Sequence, residues 1–202
     1  SRSAHVSELS IVGHLSGHAR PQKITFATVE FVSGVADSAS SAAKDLAVTA
    51  FVDQVHAWAA ATQAALHCFV GDALQASWNA TNSVAAPEAK AGRFLAKVVA
   101  ANAEAASATP TNASGSGGRG VKAYGAAFSG RAVCHFSGSG RVQALTVSMP
   151  WRAALRKCVA FAVEHKTVVV DGATAAAAAF AVETRGIELQ KQPAGKATEV
   201  HE

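Results

Sequence analysis

Two carboxylates raise the question of chemistry. Glu30 stands late in a β-branched, apolar run, "ITFATVEFVSG", and Asp72 stands at the tip of "CFVGDALQASW". If both runs are strands and neighbours in one sheet, the two groups reach the same end of it. Paired carboxylates so placed bind Mg²⁺ or Mn²⁺ and, through the metal, a polyphosphate. Each residue also has a plainer explanation. Gly71-Asp72 is good turn chemistry, since Asp bonds the local backbone and tolerates left-handed geometry. Glu30 is equally at home as the outward alternate residue of an edge strand.

Other chemical motifs are sparse. The chain has no GxSxG, HExxH or Walker A sequence. "GSGGRG" at 115–120 satisfies GxGxxG. It lies in a small-residue stretch and not between a strand and a helix, so it reads as linker. His56 and His67 have no partner at metal-ligand spacing and read as surface or satisfied core residues. Asn79-Ala80-Thr81 and Asn112-Ala113-Ser114 match the glycosylation sequon but carry little weight without a secretory signal.

The elements that would position these groups are legible from pattern. "QKITFATVEFVSG", bounded by Pro21 and Gly34, predicts a strand. Residues 37–66 lack Pro and Gly, and Leu46, Phe51, Val55, Trp58 and Ala59 recur at helical spacing, in one long helix or two short ones. "LHCFV-GD-ALQASW" predicts a hairpin. Pro87-Glu88 begins a second helix, running to about Ala103. Residues 104–120 predict a flexible loop. "VKAYGAAF", "GRAVCHFSG" and "RVQALTVS" predict three strands. "PWRAALRKCVAFAVEH" predicts a helix, "TVVVDG" a buried strand, "ATAAAAAF" a helical turn or two and "AVETRGIEL" a hairpin-like pair. A hairpin between helices, repeated, gives an α+β, ferredoxin-like (split βαβ) sheet, mostly antiparallel, with helices on one face and added C-terminal strands. The other face then needs a cover, and dimerisation is one answer. The predicted organisation is an arm or linker at 1–21, one domain at 22–192 and a tail at 193–202.

Composition bounds the class. The chain has 202 residues, 50% of them hydrophobic and 16% charged, which is globular composition for one domain. The net charge is +4, but no Lys/Arg cluster exceeds a pair, so no nucleic-acid surface is expected. Three cysteines, Cys68, Cys134 and Cys158, form no CxxC pair and read as reduced core residues of a cytoplasmic protein. A membrane-spanning helix needs about 20 apolar residues, and no run approaches that. The opening "SRSAHVSELS", without Met, reads as part of a larger protein, which leaves tethering elsewhere open.

Five segments in order resemble the class III adenylate/guanylate cyclase domains: "ITFATVEFVSG", "CFVGDALQASW", "VKAYGAAFSGRAVCHFSGS", "LTVSMPWRAALRKCVAF" and "TVVVDGATAAAAAFAVETRGIELQK". The similarity runs from about Lys23 to Lys191. It implies a nucleotide-cyclase fold, a homodimer or a heterodimer with another cyclase domain, a nucleoside triphosphate ligand and Mg²⁺ or Mn²⁺. It places the family's first metal aspartate on Glu30, or on Thr28 in a shifted register, and the second on Asp72. The adenine-reading lysine falls on Cys68 and its partner on Leu145, neither suited to strong hydrogen bonding. The ribose-orienting asparagine falls on Arg152, and the arginine that stabilises the transition-state phosphate falls on Arg156. With base recognition gone and the metal half altered, the resemblance implies an impaired cyclase serving dimerisation, nucleotide sensing or scaffolding in signalling. The alternative is the metal-side half of a heterodimeric cyclase.

Overall fold

The computed structural model describes residues 20–33, 40–70, 72–107, 121–139, 142–188 and 199–201. The segments 1–19, 108–120 and 193–198, which hold most of the expected arm, loop and tail, lie outside these residues. So do the GxGxxG match and the Asn112 sequon.

Among the described residues eight strands form one sheet: β1 (Arg20–Ser33), β2 (Ala65–Val70), β3 (Ala73–Trp78), β4 (Val121–Ser139), β5 (Val142–Ser148), β6 (Val168–Asp171), β7 (Gly186–Glu188) and β8 (Glu199–His201). Four helices among the described residues connect them: α1 (Ser41–Thr62), α2 (Pro87–Ser107), α3 (Arg152–His165) and α4 (Gly172–Ala178). The sheet order is β2-β3-β1-β4-β6-β8-β7, with β5 paired to β4. Among the described residues only the β4–β6 pairing is parallel. This is the expected α+β, mostly antiparallel arrangement.

The first helical segment is a single helix. Ser40 caps its start, accepting from the Ala43 N–H, and Gln63 ends it in the left-handed region at φ 59°. "VKAYGAAF" and "GRAVCHFSG" are not two strands but one, the 19-residue β4. Its first half pairs with β6 through Gly125–Ala127 and its second half with β5 through Val133–Ser139. One long strand thus serves three partners, β5 and β6 in succession and β1 along Val121–Cys134. The hairpin-like reading of "AVETRGIEL" is also corrected. The partner of β7 is β8, so the chain's last described residues add to the sheet and also pair with β6.

Alternation along β1 divides the core. Ala27, Val29 and Phe31 face α1, α2 and α4, packing with Phe51, Val55, Phe94, Leu95, Val98 and Ala175. Ile24 and Phe26 face the opposite way, toward α3, with Ala126, Leu155, Cys158, Val159 and Ala162. Three helices therefore lie on one face, and α3 covers part of the other. Gly125 has no room for a side chain, because a Cβ would sit 2.4 Å from the Thr28 carbonyl oxygen. Cys134 and Cys158 are buried free thiols, and burial, with Asp171 nearby, pushes Cys158 up to about 11.

Candidate functional site

The side of β1 that carries Phe26, Thr28 and Glu30 opens into a cleft of about 840 Å³. Thr28 lies opposite Gln75 of β3, so alternation sends Gln75 into the same cleft. The facing wall is one stripe of α3, in which Arg152, Leu155, Arg156, Val159, Ala160, Val163 and Glu164 recur at three- and four-residue spacing. Met149 lines the cleft just ahead of that helix.

The approach of α3 is set by Trp151. Its ring stacks on Phe128 at 5.1 Å between centroids, and its Nε1–H donates to the Arg131 carbonyl at 3.1 Å. Phe128 pairs with Phe26, so the helix begins level with Phe26. The strand that follows begins at Val168, which pairs with Gly125 and through it sits level with Val29. The helix therefore runs in the direction of β1. Arg152 and Arg156 stand at the Phe26 end of the cleft, and Glu164 stands at the Glu30 end. The cleft is cationic at one end and anionic at the other, with apolar side chains between. Arg152 is exposed and donates from Nη2 to the Val147 carbonyl at 3.0 Å, and Arg156 is exposed one turn further on.

The sequence-derived site residues divide by place. Glu30, Arg152 and Arg156 line the cleft together, and so does Thr28, the alternative to Glu30. Asp72 is not among the lining residues. It sits exposed in the hairpin turn, and its carbonyl accepts the Phe31 N–H at 2.7 Å. Glu30 itself pairs with Ala73. The two carboxylates therefore stand at the same end of neighbouring strands but one register step out of phase. Leu145 is half-buried on β5, pairs with Phe136 and packs against the α3-side core, apart from the cleft-lining set. Cys68 pairs through its backbone with Gln75; its side chain lies outside the described residues.

Among the described residues no group of three or more His, Cys, Asp or Glu side chains is placed to hold a metal ion. Magnesium is typically held by one or two carboxylates together with substrate phosphates and water. Glu30, in a cleft that also holds two arginines, fits half of such a site, to be completed by a bound triphosphate.

Three features were not legible in the sequence. Gln75 becomes a cleft residue only once the β1–β3 register is fixed. His67 sits in a β-bulge between Leu66 and Cys68, stacks on Phe26 at 5.4 Å and lies 2.6 Å from Ser77 Oγ through Nε2; burial lowers its pKa. Asp171, at the end of β6, anchors a buried polar network. Its Oδ1 accepts the Ser129 N–H at 3.0 Å and the Thr174 hydroxyl, and Ser129 Oγ lies 2.6 Å from Thr174 Oγ1 and 2.8 Å from Thr25 Oγ1. Asn79, of the first sequon, is a structural turn residue at φ 72° whose amide bonds Lys23 and Val84.

This architecture is the fold of class III nucleotide-cyclase catalytic domains, as comparison with solved structures shows. The guanylate cyclase domain of RhGC from Catenaria anguillulae, solved in complex with GTP, superposes with a TM-score of 0.69 at 11% identity, covering 91% of this chain and 97% of that one. The adenylyl cyclase CyaB from P. aeruginosa gives 0.64 at 10% identity, covering 92% and 95%. A dimeric guanylyl cyclase domain of the RhoGC fusion protein from Blastocladiella emersonii gives 0.65 at 11%, covering 91% and 97%. No protein-family model and no curated protein sequence matches the chain.

Proposed function

We propose that this chain is a nucleotide-cyclase-like domain that binds a nucleoside triphosphate in the α3 cleft and acts in signalling by nucleotide sensing, dimerisation or scaffolding, with catalysis impaired. The observation that carries this reading is the cleft itself. Arg152 and Arg156 offer charge-assisted hydrogen bonds to phosphates, while the carboxylates expected to hold two metals stand out of register. Loss of groups that stabilise a transition state costs orders of magnitude in rate, and such losses compound without simple additivity. The purified chain, incubated with ATP or GTP and Mn²⁺, is expected to release no cyclic nucleotide above a protein-free control. Robust turnover overturns the proposal.

One observation favours a second reading, the metal-side half of a heterodimer. Glu30 faces the cleft and Asp72 is its neighbour at the same sheet end, so a partner domain carrying base-reading and ribose-orienting side chains would supply what this chain lacks. The reading requires that mixing with such a partner produces cyclic nucleotide, and that Asp72→Ala abolishes it. Among the described residues no helix is long and apolar enough to cross a membrane. The buried free thiols support a reducing compartment, and we place the domain in the cytoplasm.

A further inference from the structure

We infer that a second cavity, on the three-helix face of the sheet, binds a small amphipathic cation, a molecule with an apolar body and one ammonium group. The site goes beyond the nucleotide-binding reading above and does not depend on it.

The cavity measures about 400 Å³ and lies between α2, the end of α4 and the start of β6. Gly92, Leu95, Ala96 and Val99 line it from α2, in one stripe at three- and four-residue spacing. Val168 and Val170 line it from β6, while Val169 between them joins the α3-side core. Among the described residues none lines both this cavity and the α3 cleft, and the sheet stands between the two.

Size and lining limit the occupant. Ligand cavities run from about 300 to 1,000 Å³, and a water takes about 30 Å³ of liquid, so a single ion or water leaves this one unfilled. Leu95, Val170 and Ala178 are buried beneath it and Val99 stands exposed at its rim, so floor and wall are apolar. From Gly92 to Val99 the helix rises about 10 Å, close to the length of an extended eight-carbon chain.

Charge decides the head group. Glu183 is the one charged side chain in the lining. Among the described residues it forms no ion pair. The cations that neighbour the lining residues in sequence, Arg93, Lys97, Lys166 and Arg185, are not part of the wall. An anionic head would meet the carboxylate with no cation to offset it. A hydroxyl gains one hydrogen bond there, and an ammonium gains a charge-assisted one.

The carboxylate is carried by an anchored segment. The Val182 N–H donates to the Ala178 carbonyl at 3.0 Å. The Val182 side chain fills the notch over Gly92, where a Cβ would lie 3.1 Å from Val182 Cγ2. Glu183 follows directly, so its Cα lies about 3.8 Å from that of the anchored residue. A wall held in place before binding lowers the ordering cost of a ligand.

The test is calorimetric titration of the whole chain with octylammonium, octanol and octanoate, at concentrations below those at which they self-associate, repeated on Glu183→Gln and Ala96→Phe. Glu183 and Ala96 are both exposed, so both variants should fold, and melting curves check this. Exposed ion pairs contribute little, so octylammonium is expected to bind about threefold to fivefold more tightly than octanol and at least about tenfold more tightly than octanoate. Glu183→Gln should bring octylammonium to the affinity of octanol and leave octanol unchanged. Ala96→Phe, which fills the cavity from its open side, should weaken both about tenfold or more. If octylammonium does not bind, binds no better than octanoate, or keeps its affinity in either folded variant, the inference falls. If Ala96→Phe does not fold, the ranking of the three probes and the Glu183→Gln result decide it.

Discussion

Asp171 shows what a single residue contributes beyond the cleft. It is 4% exposed, and its carboxyl meets Ser129 of β4 and Thr174 of α4, joining strand and helix to Thr25 of β1 through hydroxyls. Burial pushes its pKa up, while hydrogen bonds from Thr174 and Ser129 pull the other way. A carboxyl raised in the fold binds its proton more tightly there than in the unfolded chain. The stability it contributes is therefore complete below the unfolded value of about 3.9 and is lost as pH climbs through the folded value. Asp171→Asn removes the charge and keeps an acceptor oxygen. Urea unfolding from pH 4 upward should show the stability difference moving steadily against the wild type, and a pH-independent difference would refute the assignment. Nothing in "TVVVDG" announces this role. The sequence marks Asp171 as the residue that ends a buried strand, and its partners lie 42 residues away on β4 and on the next helix. The same holds for Gln75, a polar residue whose alternation is readable but whose facing helix is not.

At the level of elements, most of the architecture was readable, and one of the exceptions is instructive. Strands, helices and the Gly-Asp hairpin follow from β-branched runs, helical spacing and turn residues. Ser129-Gly130 looks like a turn and divides β4 into two predicted strands, yet Gly130 pairs with Ile24 in the middle of an unbroken ladder. The glycine is there for space. A Cβ would lie 2.4 Å from Trp151 Nε1 and 2.8 Å from its Cδ1, closer than atoms approach. The indole occupies that volume, stacks on Phe128 and sets the start of α3, which carries both cleft arginines. Gly130→Ala should displace the indole, destabilise the fold by about 1–3 kcal/mol as overpacking does, and weaken triphosphate binding by shifting Arg152 and Arg156. Denaturant midpoints, tryptophan fluorescence and a tripolyphosphate titration together check this. An unchanged fluorescence spectrum and midpoint would show that α3 does not depend on that seat.

For the molecule as a whole, the two faces of the sheet are unequally covered, and the metal question belongs to that asymmetry. Three helices close one face. On the other, α3 packs over β4 and β6, and the β1–β3 half borders the cleft. A second domain completing that half would bring its own side chains against Glu30 and the arginines, which is why the proposed function includes dimerisation. Asp72 has a different relation to the cleft, and two demands on it can be separated. Turn chemistry accepts Asn nearly as well as Asp, and the hydrogen bond to Phe31 uses the Asp72 main-chain carbonyl, which substitution leaves in place. Metal binding needs the charge, because a hard divalent cation gains far more from a carboxylate than from an amide. Glu30 lies on the cleft wall and Asp72 does not. Asp72→Asn should therefore change stability by no more than about 0.5 kcal/mol and leave the thermal shift produced by ATP with Mn²⁺ intact. Glu30→Gln should reduce that shift while sparing the response to metal-free tripolyphosphate, since binding to the native state raises the melting temperature by an amount that grows with the logarithm of its affinity. If Asp72→Asn instead abolishes the Mn²⁺-dependent part, the hairpin carboxylate is a live metal ligand, the out-of-phase register is no obstacle, and the heterodimer reading displaces the impaired one.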